Sequence, residues 1–158
     1  MIAALVAAVA LCWPTPVPAP IAVPYSPPTC RWCAGHEAVG WTVPAGTVVS
    51  AVAPGLVVFA GRVAEIGYVS VDVGGLRTTY GGLGHLDVRQ GEVVAIGRGL
   101  GTASGLVTFS VRAGDVHLDP TAFFARRVGR PRLVPTDGHR PRPWSAAESV
   151  CPARPVGR

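Results

Sequence analysis

Tyr68-Val69-Ser70-Val71-Asp72-Val73 decides the fold class. Its three valines alternate with polar or amphipathic residues, and a strand turns successive side chains to opposite faces. The run therefore predicts a strand with one face in a core and the other toward water. The same reading extends in both directions. Thr47 to Val52, Leu56 to Val63, Leu76 to Tyr80, Val93 to Ile96 and Val107 to Arg112 are short, β-branched segments punctuated by Gly or Pro. Gly46, Gly55, Gly61, Gly91 and Gly97 fall at the expected turns and kinks. The expected fold is all-β, a compact antiparallel β-sandwich or half-barrel, with Pro120 to Phe124 starting a short terminal helix.

A chain of 158 residues allows one domain of ordinary size with extensions. The net charge of +5 is unevenly spread. Between His36 and Ala125 five Arg face seven acidic residues, whereas from Arg126 onward eight Arg face only Asp137 and Glu148. The domain is thus mildly acidic and the tail basic. Every basic residue is Arg, with no aromatic platform or nucleic-acid motif beside the charge, so nucleic acid is not the expected partner. A basic, Pro-rich tail suits contact with an anionic surface instead.

The motifs around these strands carry a family resemblance. Gly35-His36-Glu37-Ala38-Val39-Gly40, followed by Val43-Pro44-Ala45-Gly46-Thr47-Val48-Val49, resembles the opening signature of the lysostaphin/LytM-type zinc endopeptidases of bacterial cell walls, G-H-x-G-V-D then x-x-P-x-G-T-x-V. Ser50 to Gly61 reads like the family's V-x-A-x-x-x-G-x-V-x-x-A-G, and Thr79-Tyr80-Gly81-Gly82-Leu83 like T-Y-x-H-L. Val88, Gly91, Val94, Gly97 and Gly101 keep the next set of spacings. Ser104 to Arg112 sits where the family carries S-T-G-P-H-L-H-F-E-V-R, and Leu118-Asp119-Pro120 where it carries V-D-P. The resemblance implies the duplicated-hybrid-motif peptidase fold and a site for wall peptide.

It also implies a chemistry that these residues do not repeat. In the family, zinc is held by the His and Asp of the first motif and the last His of H-x-H. The first His of H-x-H and that of Y-x-H polarise substrate and water. Here those five positions read His36, Gly40, Thr108, Leu106 and Gly82. A catalytic zinc needs three protein ligands and an open position for water. Glycine and leucine offer no ligand atom and a neutral hydroxyl replaces imidazole poorly. His36 is the one retained family ligand, in a site expected to be incomplete, and no catalytic residue and no cofactor are expected. His85, His117, Asp87, Asp115 and Glu92 are unsuited by spacing or position to rebuild the metal site. Part of the pattern, Ala51 to Val57 with Val88 to Gly97, also looks like a biotinyl or lipoyl carrier domain, but a carrier needs a turn lysine and the chain has none.

At the N-terminus, Ile2 to Leu11 is an apolar run of signal-peptide length, too short to span a bilayer as a stable helix. Val17-Pro18-Ala19 offers small residues for cleavage, so residues 1–19 are expected to be a signal peptide and Cys12 a buried residue of its apolar stretch. Residues 20–34 read as a Pro-rich spacer bearing a C-x-x-C, residues 35–125 as the peptidase-like domain and residues 126–158 as an Arg/Pro-rich disordered tail. In an exported protein Cys30, Cys33 and Cys151 are disulfide candidates, with a local Cys30–Cys33 bridge or a bridge from either to Cys151. Cys30-Arg31-Trp32-Cys33-Ala34-Gly35-His36 could alternatively offer three soft ligands to zinc.

The expected function is that of an exported, catalytically degenerate domain in the cell envelope or outside the cell. It binds peptidoglycan peptide or a wall hydrolase through a groove formed by His36, Trp41, Tyr80, Leu106 and Thr108. The alternatives are an active zinc endopeptidase with a rebuilt metal site, and a decaying gene product with no catalytic role.

Overall fold

The computed structural model describes residues 12–30, 32–128 and 148–150. Eight strands form one antiparallel sheet. They are β1 (Val39–Thr42), β2 (Val48–Ser50), β3 (Gly55–Val63), β4 (Ile66–Val73), β5 (Leu76–Leu86), β6 (Val93–Val94), β7 (Gly99–Ala113) and β8 (Val116–Leu118). The order is β1-β7-β5-β4-β3-β6, with β2 and β8 also on β7. The fifteen-residue β7 is the spine of the sheet, because β1, β2, β5 and β8 all pair with it. The short helix expected after Leu118 is a 3-10 turn, Pro120–Ala122, whose start is capped by the Asp119 carboxylate accepting from Thr121 N–H.

The inward half of the alternation in Tyr68 to Val73 works as expected, while Ser70 on the other face is also buried. Val69 and Val71 are fully buried, joining Val39, Trp41, Val57, Tyr80, Val107, Phe109 and Val111 in one core on one face of the sheet. Burying such side chains contributes roughly 1.5–3 kcal/mol each. β5 and β7 run beyond their expected limits. Gly81, Gly82, Gly84, Gly99, Gly101 and Gly105 lie within these strands, and the ladder between them absorbs the glycines with register shifts at Gly81/Leu83 and Leu83/His85.

Two hairpin turns solve the same problem differently. Val73 and Leu76 face each other across Gly74-Gly75, which adopt φ of 61° and 91° at no steric cost. Val63 and Ile66 face each other across Ala64-Glu65, with φ of 46° and 68°, a conformation that Cβ-bearing residues adopt at a cost. Arg62 Nη1 donates to the Glu65 carbonyl at 2.9 Å and braces that turn.

The N-terminal extension packs on the domain. Residues 1–11 lie outside the described residues, and residues 13–19 lie against the core. Trp13 is 3% exposed and Val17 1% exposed, and both belong to the core. Trp13 N–H donates to the Phe123 carbonyl, Ala125 N–H donates to the Trp13 carbonyl, and the Trp13 ring stacks on Phe123 with centroids 4.8 Å apart. Ser50 N–H donates to Pro16 O. Cys12, expected inside an apolar signal stretch, is disulfide-bonded. The Pro-rich segment is held to the domain at two points, where Val23 pairs with Gly40 and Ser26 with His36. Proline-rich sequence lacks donors for a central strand but tolerates an edge, and that is where it lies.

The tail is not without structure throughout. Arg126–Val128 (β9) pairs antiparallel with Glu148–Val150 (β10). Residues 129–147 and 151–158, Cys151 among them, lie outside the described residues.

Candidate functional site

Residues directly opposite one another in a sheet share a face. One row crosses the whole sheet in this way: Gly61 opposite Tyr68, Tyr68 opposite Gly81, Gly81 opposite Thr108, Thr108 opposite Gly40, and Gly40 opposite Val23. All lie on the face away from the core. Three glycines lower the floor, and neighbouring side chains lie over them. The Phe59 ring covers Gly61, the Tyr68 ring and Thr108 Oγ1 close over Gly81, and Val23 with Leu106 Cδ1 covers Gly40. The next row, Phe59-Ser70-Thr79-Ser110, is hydroxyl-rich, with Ser70 Oγ and Thr79 Oγ1 hydrogen-bonded at 2.9 Å. The open face is therefore a shallow trough with aromatic, apolar and hydroxyl surfaces.

Two of the five expected groove residues, Thr108 and Leu106, border this trough, and a third, His36, pairs with the N-terminal extension. Thr108 lies in its central row, Leu106 is 49% exposed beside Gly40, and His36 is half-buried in the strand pair with Ser26. Its Nε2 is buried without a partner among the described residues. The other two are corrected. Trp41 and Tyr80 are both 0% exposed and face the core, because each is one strand position out of phase with the trough. Trp41 packs on Phe109 and Phe124, and its Nε1 has no partner among the described residues. Tyr80 packs on Phe109 at 5.0 Å, and its hydroxyl oxygen accepts the Val52 N–H at 3.0 Å. Burial pushes the Tyr80 phenol up to about 12.

The sequence reading missed Tyr68, Phe59 and Val23 as trough residues. Tyr68 and Phe59 occupy the outward phase of their strands, a signal present in the alternation beginning at Tyr68. Val23 had no such signal, because a proline-rich run gives no strand periodicity.

Could this face hold zinc? Among the described residues no group of three His, Cys, Asp or Glu side chains is gathered as a metal site. At Gly40 the space beyond the backbone belongs to Val23, whose Cβ and Cγ2 would stand 3.1 and 3.2 Å from an added Cβ. At Gly82, φ is 81° and an added Cβ would overlap the Leu106 carbonyl. The residues present do not fit the metal. The C-x-x-C-x-x-H alternative is also removed, because Cys30 and Cys33 form a disulfide with Cα atoms 5.0 Å apart. That bridge was one of the expected pairings. Two other histidines stand beside carboxylates: His117 Nδ1 lies 3.0 Å from Glu37 Oε2, and His85 Nε2 lies 3.3 Å from Asp87 Oδ1.

The fold has solved counterparts. The chain matches a protein of Pseudomonas aeruginosa described as a peptidase M23 at 28% identity and a TM-score of 0.62, covering 72% of this chain and 50% of that one. It matches Helicobacter pylori Csd3 at 22% identity and a TM-score of 0.65, covering 78% and 35%. A third match is the complex of SpoIIIAH and SpoIIQ, at 20% identity and a TM-score of 0.63, covering 71% and 99%. The chain thus spans half or less of the first two relatives. Comparison with curated protein sequences finds no match. The sequence profile of Peptidase family M23 matches residues 34–120, from just before His36 to the Pro120 that ends the sheet, and on that match the chain belongs to peptidase family M23.

Proposed function

We propose that this protein is an exported, catalytically degenerate M23 domain that uses the open face of its sheet to bind cell-wall peptide. The observation that carries this reading is Val23 lying over Gly40, where the family's metal-binding Asp is expected. With that position filled by an apolar side chain, Leu106 and Thr108 beside it, and a glycine at position 82, the face has hydrogen-bonding and aromatic surface but no donor set for zinc. Zinc chemistry is consequently not part of the proposed mechanism. Peptide would lie over Tyr68, Thr108 and the Ser70-Thr79-Ser110 hydroxyls, which offer donors and acceptors to a peptide backbone.

A wall hydrolase is the second partner of this reading. It is supported by a neighbour of the same fold having been solved in complex with another protein, SpoIIIAH. Export is supported by the Cys30–Cys33 disulfide and the disulfide-bonded Cys12, since such bonds persist in oxidising compartments. Among the described residues no helix is long and apolar enough to cross a membrane.

The test measures bound zinc, hydrolysis of cross-linked peptidoglycan and co-sedimentation with purified sacculi on one preparation. The reading expects no stoichiometric zinc, no cleavage and saturable sedimentation. About one zinc per chain with chelator-sensitive cleavage would replace it with the active peptidase having a rebuilt site.

A further inference from the structure

Beyond the hydroxyl row, the open face carries a third row of different character. Asp72 on β4 stands opposite Arg77 on β5, Arg77 opposite Arg112 on β7, and Arg112 opposite His117 on β8. Two arginines are thus direct cross-strand neighbours on one face. Like charges in this position destabilise a sheet unless something of opposite sign is shared between them.

The residues around them do not supply that charge to both. Asp72 Oδ1 accepts from Gly75 N–H at 3.3 Å, in the turn, and among the described residues Arg77 makes no ion pair. Arg112 Nη2 donates to the Gly114 carbonyl at 3.1 Å and to Asp115 Oδ1 at 3.2 Å, which fixes the guanidinium. Its Nε is buried with no partner among the described residues. His117 is engaged by Glu37 at the end of the row. One arginine is therefore held in place through its Nη2, and its exposed neighbour is free to swing onto an acceptor shared with it.

We infer that Arg77 and Arg112 form a subsite for the free carboxylate of a short peptide. This rests on the wall-peptide reading above and specifies which end of the peptide lies where. A planar carboxylate accepts two parallel N–H bonds from a guanidinium, and two adjacent arginines bracket it. Arg112 lies four residues beyond Thr108 on β7, about 13 Å along an extended strand. A peptide of three or four residues spans that distance, its backbone crossing Ser70, Thr79 and Ser110 and its terminal carboxylate reaching the arginines.

The experiment is calorimetric titration of the full chain with diacetyl-L-Lys-D-Ala-D-Ala and with its C-terminal amide, alongside sacculus co-sedimentation. The acid should bind about tenfold more tightly than the amide, since only the acid makes charge-assisted bonds. Arg77→Gln, at an exposed position, should abolish that difference without lowering the thermal midpoint, and Arg112→Lys should weaken acid binding and leave amide binding as it was. Equal affinity for acid and amide, with sacculus binding intact, would overturn the subsite and leave the wall-peptide reading standing. Loss of sacculus binding itself in the unmodified chain would overturn both.

Discussion

Val23 and Gly40 exchange both of their backbone hydrogen bonds: Gly40 N–H donates to the Val23 carbonyl at 2.8 Å, and Val23 N–H donates to the Gly40 carbonyl at 3.0 Å. The N-terminal strap is thereby bridged to the outer edge of β1, and the Val23 side chain covers the position where the family resemblance expects a metal ligand.

Gly40→Asp should therefore fail to restore a metal site. The new Cβ crowds Val23, and the carboxylate is set beside Val23 and Leu106, so the substitution should cost about 1–3 kcal/mol of stability. Denaturant unfolding gives the cost and elemental analysis the metal content. Stoichiometric zinc in the variant would refute the account of this site.

Gly82→His should be worse, because the left-handed backbone and the Leu106 carbonyl oppose any side chain there. A loss of about 3 kcal/mol or more is expected, read as a large fall in thermal midpoint or as insoluble protein. A folded variant of unchanged midpoint would show that the β5–β7 ladder relaxes more readily than its geometry implies.

Trp13→Ala should cost about 3–5 kcal/mol, because the ring is buried against Phe123 and Phe109. A chain beginning at Pro20 should be destabilised at least as much, losing Val17 as well. If that shortened chain unfolded with the same midpoint as the full chain, the N-terminal strap would be an accessory to the fold.

The Tyr80 phenol contributes a pH dependence of definite sign. Its proton is held more tightly in the folded chain, where burial raises it to about 12, than in the unfolded chain at 10.0. Above pH 10 the unfolded state binds fewer protons, so stability that is fully present below that pH declines as pH rises toward 12, by on the order of 3 kcal/mol in all. Tyr80→Phe should remove this dependence. At neutral pH it should cost about 1–3 kcal/mol, because the buried Val52 N–H loses its acceptor. Unfolding curves across alkaline pH for both proteins decide the point.

Glu65→Gly should stabilise the β3–β4 hairpin by about 1 kcal/mol, since glycine adopts a φ of 68° without the steric cost borne by glutamate. The thermal midpoint should rise, and an unchanged or lower midpoint would place the cost of this turn elsewhere.

Much of this molecule could be read from its sequence, and the failures have local causes. The Gly74-Gly75 turn declared its backbone, while Ala64-Glu65 adopts the same kind of turn with no glycine to signal it. Tyr68 to Val73 announced both its core face and its outward face. Trp41 and Tyr80 were assigned to the groove by their closeness in sequence to ligand positions, yet one residue along a strand is a change of face. Leu106 and Thr108, two apart, share the trough side. The strap escaped because its contacts are backbone bonds to Gly40 and His36 and burial of Trp13, Pro16 and Val17, none of which depends on a repeating pattern.

The strap also settles what the β1 side of the sheet presents to other molecules. An open strand edge is a template on which a second chain can pair and begin to aggregate. Here the segment bridged to that edge contains Pro20, Pro24, Pro27 and Pro28, which have no N–H to offer. A segment that fills the trough at Gly40 thus ends the sheet in a rim poor in donors, and β-mediated self-association from this side is disfavoured by the same residues.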